Sequence, residues 1–222
     1  MQKFATTAPV TARIDLPAGR LSLIAAERSD VTVEILPADP SSARDTKAAE
    51  QATVEYADGV LRIAPAAKSR VLGSSGTVEI TVRLPAGSAV EAKAADAELR
   101  GVGRLGDVTF EAARATVKLD ETAGARIVLS AGDVLVGRLG GPAAISTRKG
   151  DLRIAEAVSG TVELDTAMGE IAVGAARGVS ATLDAGTGHG RIHNALKNSE
   201  GAGAGLTIKA TTGYGDITAS SL

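Results

Sequence analysis

The chain has no cysteine and no tryptophan, and among its 222 residues only two phenylalanines, two tyrosines and two histidines. The lack of cysteine excludes disulfides, thiolate metal sites and cysteine nucleophiles together. The scarcity of rings (Phe4, Tyr56, Phe110 and Tyr214) leaves little from which to build the aromatic platforms that stack on sugars and nucleobases. It also suits a thin interior filled by Val, Ile, Leu and Ala. Charge of one sign is lacking too, since 24 basic residues face 26 acidic ones. Without a basic surplus, nucleic acid is not an expected partner. No apolar run approaches the ~18 residues of a membrane span, so no membrane partner is expected. The N-terminal stretch lacks the apolar segment of a signal peptide, and no lipidation motif is present. The expected location is therefore the cytoplasm, with the cell surface as the alternative.

What the chain does have is a repeat. The first polar position of each unit falls at Asp96, Arg114, Asp133, Asp151, Glu170, Arg191 and Asp216, with gaps of 18, 19, 18, 19, 21 and 25 residues. The residue before each is Ala95, Ala113, Gly132, Gly150, Gly169, Gly190 or Gly215. Apolar residues follow at the next position and two beyond it in Ala97/Leu99, Ala115/Val117, Val134/Val136, Leu152/Ile154 and Ile171/Val173. A second series of such pairs lies between them: Val108/Phe110, Ile127/Leu129, Ala143/Ile145, Val162/Leu164, Ala181/Leu183 and Leu206/Ile208. Alternation with period two buries one face of a strand and leaves the other to solvent. A fixed period near twenty marks a repeat architecture. The small residue before each strand fits a turn that needs a positive φ or a close backbone approach.

The expected fold is all-β: a right-handed parallel β-solenoid (β-helix) with two short strands per 18–19-residue repeat. An antiparallel sandwich or barrel of nine-residue units is the alternative. The whole chain, 1–222, is expected to form a single domain. Residues 1–90 supply irregular N-terminal coils and a cap, and 91–222 supply the regular repeats, with a loop insertion at 194–205 that accounts for the 25-residue gap. Leu16-Pro17-Ala18-Gly19 and Leu84-Pro85-Ala86-Gly87 read as matched exits from strands. Only 41–51 is a candidate helix, and it reads equally as a loop.

Two units, Thr147-Arg148-Lys149-Gly150-Asp151-Leu152-Arg153-Ile154 and Thr166-Ala167-Met168-Gly169-Glu170-Ile171-Ala172-Val173, share the form T-x-x-G-[DE]-[IV]-x-[VI]. With the Gly19-Arg20-Leu21-Ser22-Leu23 strand and the Leu84-Pro85-Ala86-Gly87-Ser88 exit, this pattern resembles a large bacterial group, the putative adhesin or β-strand-repeat domain family of unknown function. The likeness covers nearly the whole chain. It implies a right-handed β-solenoid and carries over no catalytic residues.

Candidate chemistry is sparse. His189 and His193 lie four residues apart, roughly 13 Å on an extended strand, too far to share one metal. The acidic residues that open the repeats would stack into a column, but Arg114 and Arg191 interrupt it and no calcium β-roll motif is present. Glu163, Asp165 and Asp184, with Lys118 and Asp120, mark the one sheet face on which a polysaccharide-active enzyme could gather its charges. Exposed strand positions are polar in any case. Gly73-Ser74-Ser75-Gly76 and 201–205 lack the G-K-[ST] ending of a phosphate loop. The expected site assignments are thus no catalytic, no cofactor-binding and no metal-binding residues, and no cofactor. The expected role is a non-catalytic protein-interaction or scaffold module with an unidentified protein partner. A cell-surface adhesin stands second and a polysaccharide-active β-helix enzyme third. The last unit, Thr212-Gly213-Tyr214-Gly215-Asp216-Ile217-Thr218, is expected to leave an uncovered edge at 206–222 and to support weak end-to-end self-association.

Overall fold

In a computed structural model, residues 1–65 and 76–222 are described, and the chain divides into two compact units, 1–115 and 116–222. Gly73, Ser74 and Ser75 of the first glycine-rich stretch lie outside the described residues. Among the described residues the protein is all-β apart from one helix and one short 3-10 turn.

The first unit holds β1 (Gln2–Ala5), β2 (Thr11–Ala26), β3 (Asp30–Pro37), α1 (Ala43–Gln51), β4 (Thr53–Ala57), β5 (Val60–Ala64) and β6 (Val78–Pro85). The long strand β7 (Ala89–Ala131) begins here and continues into the second unit. The candidate 41–51 is helical over Ala43–Gln51: Ser42 is its N-cap, and its side chain accepts a hydrogen bond from the Asp45 amide. Leu16-Pro17-Ala18-Gly19 is a corner within β2 rather than its end, and the second Leu-Pro-Ala-Gly closes β6 as expected.

β2 runs between parallel neighbours, with β5 and β6 on one side and β7 on the other. Beyond them the pairing turns antiparallel, β6 to β3 to β1 and β5 to β4. The irregular half is therefore a mixed sheet. Two of the four rings in the chain meet here, Phe4 of β1 and Tyr56 of β4, stacked at 5.2 Å beside the buried Val31 and Leu61.

Asp30 is gripped by Arg28 at 2.7 Å and Lys3 at 2.9 Å. Hydrogen bonds from Arg28 first, then Lys3, lower its pKa from an ordinary 3.8 to about 2. A depressed carboxylate adds stability above its unfolded pKa and loses it as pH falls through the folded value. The chain should lose stability between roughly pH 4 and pH 2. Asp30→Asn should show a shallower fall across that window, read as urea midpoints against pH. Equal slopes would show that Asp30 contributes nothing.

The second unit holds the rest of β7 together with β8 (Val134–Leu139), β9 (Ala143–Lys149), β10 (Leu152–Ala157), β11 (Gly160–Met168), β12 (Ile171–Ala175), β13 (Ala181–His189), β14 (Ile192–Ala195), β15 (Leu206–Tyr214) and β16 (Ile217–Ser221). All its pairings are parallel and fall into two ladders. One runs β7–β9–β11–β15–β13 and the other β7–β8–β10–β12–β16–β14. The apolar pairs point inward as the alternation requires: Val134, Val136, Leu152, Ile154, Ile171 and Val173 are all buried, as are Val162, Leu164, Leu206 and Ile208.

The strand order departs from chain order in one place. Both β15 and β16, the last strands in sequence, sit inside their ladders, β15 between β11 and β13 and β16 between β12 and β14. The expectation of an exposed edge at 206–222 is corrected: Leu206 and Ile208 are fully buried, while Ile192 of β14 is 46% exposed. The outermost repeat is 181–195. The chain passes one rung by, forms β13 and β14, and returns to fill the gap. The insertion supplies the length for that return through residues 196–205, with a 3-10 turn at Gly201–Gly203. Its start is pinned, as the Lys197 amide donates to Ser221 Oγ, and the Ser199 and Glu200 amides donate to Ser180 Oγ.

Candidate functional site

The recurring T-x-x-G-[DE] unit is the most ordered polar feature, and each of its letters has a physical task. The threonine donates its hydroxyl to the glycine carbonyl of the neighbouring repeat: Thr166 to Gly150 at 3.1 Å, Thr212 to Gly169 at 3.0 Å and Thr187 to Gly215 at 3.0 Å. Thr166 and Thr212 are buried, so these bonds satisfy hydroxyls that would otherwise be costly. The glycine must be glycine. At Gly150 (φ +143°) an added Cβ would stand 2.1 Å from the Gly132 carbonyl oxygen. The acidic residue accepts a backbone N–H from the next repeat: Asp133 from Asp151 at 2.9 Å, Asp151 from Glu170 at 2.8 Å and Asp216 from Arg191 at 2.9 Å. These carboxylates are held by amides of the stack. Arg191 stands at the same position in the outermost repeat, as Arg114 does earlier in the chain, and neither can accept such a bond.

The sheet face marked out in the sequence assembles only in part. Glu163 and Asp165 lie on β11 and Asp184 on β13, all in one ladder. Lys118 and Asp120 lie on the β7 segment that pairs with β8, in the other ladder, so the five do not converge. Between Glu163 and Asp184 stands a residue that chain order concealed, Lys209 of β15, in register with both. Its ammonium is 2.9 Å from Glu163, whose hydrogen bond raises the Lys209 pKa, with a smaller contribution from Asp184. Only knowledge of the strand swap could have placed Lys209 there.

Similar pairs occur elsewhere, between neighbouring strands or between segments of the long β7. Arg13 meets Glu91 at 3.0 Å, Lys93 meets Glu111 at 2.9 Å and Arg114 meets Asp96 at 2.7 Å, and Arg138 contacts Glu156. Arg191 reaches Asp216 at 3.0 Å, and the Arg191 amide and guanidinium together lower the Asp216 pKa. Every shift among these pairs comes first from a hydrogen bond to the neighbouring partner. Catalytic sites shift pKa values by burial and charge within a cleft. These groups lie on open strand faces.

The described residues line shallow depressions. One, about 530 Å³, lies in the first unit among Arg13, Arg62, Glu91, Lys93 and Glu111. Another, about 290 Å³, lies in the second unit among Arg126, Ser146, Glu163, Asp165 and Lys209. Both are floored by sheet, and their acids and bases are largely matched to one another. His189 ends β13, its ring stacked on Tyr214 at 4.6 Å, and His193 lies on β14. Among the described residues, no three His, Asp or Glu side chains group as metal ligands. No helix among them is long and apolar enough to cross a membrane.

Residues 13–221 match the family described as Toastrack DUF4097. The chain belongs to the Toastrack DUF4097 family. One solved structure agrees with this at the level of fold. A putative adhesin from Parabacteroides distasonis ATCC 8503 aligns with a TM-score of 0.50 at 14% identity, over 98% of this chain and 95% of its own. A putative adhesin from Bacteroides fragilis NCTC 9343 aligns at 0.48 with 10% identity, again over 98% and 95%. A putative lipid binding protein from Parabacteroides distasonis ATCC 8503 aligns at 0.47 with 13% identity and the same coverage. No curated protein matches the chain. In this Toastrack chain the Thr-Gly-Asp bonds join repeat to repeat.

Proposed function

We propose that this Toastrack chain is a non-catalytic protein-interaction or scaffold module, wound as a right-handed parallel β-solenoid with two short strands per repeat. One observation carries the reading: among the described residues, many charged side chains are held in matched pairs on open strand faces, and none of them stands poised as an acid, base or nucleophile in a cleft. A ladder locked by backbone and threonine bonds gives a rigid surface at fixed spacing, which suits docking and not turnover. Near-neutral charge argues against nucleic acid as the partner. The cytoplasm is the proposed location. A second reading, a cell-surface adhesin, is prompted by the name of the Parabacteroides distasonis neighbour at a TM-score of 0.50.

Proximity labelling in intact cells, followed by reconstitution with the purified labelled protein, tests both readings. The expected result is a stoichiometric complex with an intracellular protein, unaffected by a chelator. Labelling confined to extracellular material would favour the adhesin. Cleavage of a polysaccharide by the purified chain would overturn the non-catalytic reading.

A further inference from the structure

The geometry points to the outer edge of β13 and β14 as a docking surface for a second copy of this chain, which presents the β4 edge of its first unit. This rests on the interaction-module reading and names one partner for it. Among the described residues, β13 pairs as a strand only with β15 and β14 only with β16; the Ala181 amide donates to the Lys197 carbonyl, and beyond that point one side of each strand offers unpaired backbone groups. Such an edge is a template for another strand. The apolar interior is also thinly covered there. Ile192 aligns with the buried Ile217 yet is 46% exposed, and Leu183, aligned with the buried Ile208, is only half-buried.

Charge selects the occupant. From His189 to Lys197 the chain carries Arg191, Lys197 and both histidines, and no acid. Arg191 touches Asp216 but keeps 89% of its side chain exposed, so its guanidinium can take a second carboxylate. Pairing this edge with its own two-fold copy would set these cations against one another. The β4 edge is the opposite case. It pairs only with β5 among the described residues, and from Glu50 to Asp58 it carries Glu50, Glu55 and Asp58 and no base. Its inward Tyr56 is already stacked on Phe4, so β4 brings a covered apolar face and an acidic rim to an open, basic edge. A basic edge meeting a different, acidic edge is a heterologous contact, which adds copies in an open series rather than closing as a dimer. Exposed charges at its rim make it weaken with salt.

Sedimentation velocity over a wide concentration range tests this with four chains: the natural sequence, Arg191→Glu/Lys197→Glu, Glu50→Lys/Glu55→Lys/Asp58→Lys, and all five substitutions together. The natural chain should self-associate, less so in high salt. Each single-edge variant should need at least tenfold more protein to do so. An equal mixture of the two variants, and the five-substitution chain, should regain association. His193→Glu/Lys197→Glu, which keeps the Arg191–Asp216 pair, guards against loosening of β14 and should weaken association likewise. A natural chain that stays monomeric, single-edge variants that associate normally, or a five-substitution chain that stays monomeric would each overturn the surface. Reconstitution with a different protein is unaffected by that failure, so the broader interaction reading is judged separately.

Discussion

Gly215→Ala should collapse the second unit, while Gly186→Ala should be tolerated. Gly215 has φ +150°, and a Cβ there would stand 2.0 Å from the Gly169 carbonyl oxygen. That oxygen is itself held in place, since it accepts the Thr212 hydroxyl at 3.0 Å. Neither the backbone angle nor the neighbour can yield without parting two rungs of the ladder. Backbone strain and overpacking each cost about 1–3 kcal/mol, and here they add. At Gly186, on the exposed face of β13, an added Cβ would meet nothing within 4 Å. Thermal melts of the two variants are the measurement. Similar midpoints would mean that the glycine column is not packed rung on rung.

Ile171→Asp should be as damaging, for a different reason. Ile171 is 1% exposed and lies in register between Leu152 and Ile217. Removing its side chain from the interior loses roughly 1.5–3 kcal/mol, and a carboxylate buried there has no partner. The total exceeds about 4 kcal/mol, a large part of the stability of an ordinary domain. The adjacent Glu170→Gln should move the denaturation midpoint little, because it is the Glu170 amide, not its side chain, that bonds to Asp151. If the two substitutions shifted the midpoint equally, the assignment of inward and outward positions would be wrong.

The inward positions were legible because burial on a sheet has period two, and the apolar pairs from Val134 to Val173 obey it strictly. The glycine column was legible for a related reason: a positive φ and a close carbonyl leave a mark in sequence as an invariable small residue. The strand order was not. Parallel neighbours share backbone bonds that carry no residue signature, so nothing in Leu206-Thr207-Ile208 says that β11 lies beside it as well as β13. One trace of the swap did exist in the sequence: residues 194–205 supply more chain than a turn requires. The charged face of Glu163, Asp165 and Asp184 suffered accordingly. Its central member, Lys209, was hidden by the same swap, and Lys118 and Asp120 belong to the other ladder.

The placement of 206–221 between 160–175 and 181–195 is the claim on which the edge, the glycine column and the Lys209 pair all depend. The chain's lack of cysteine allows a direct test with engineered cysteine pairs at the exposed positions 163, 184 and 209. Neighbouring rungs stand about 4.8 Å apart at Cα and second neighbours roughly 9.6 Å apart. Disulfides form only when the Cα atoms lie within about 7 Å. Under mild oxidation, Glu163→Cys/Lys209→Cys and Asp184→Cys/Lys209→Cys should cross-link within the monomer, and Glu163→Cys/Asp184→Cys should not. Rapid cross-linking of 163 to 184, with none between 163 and 209, would mean that the repeats stack in chain order and would contradict the account.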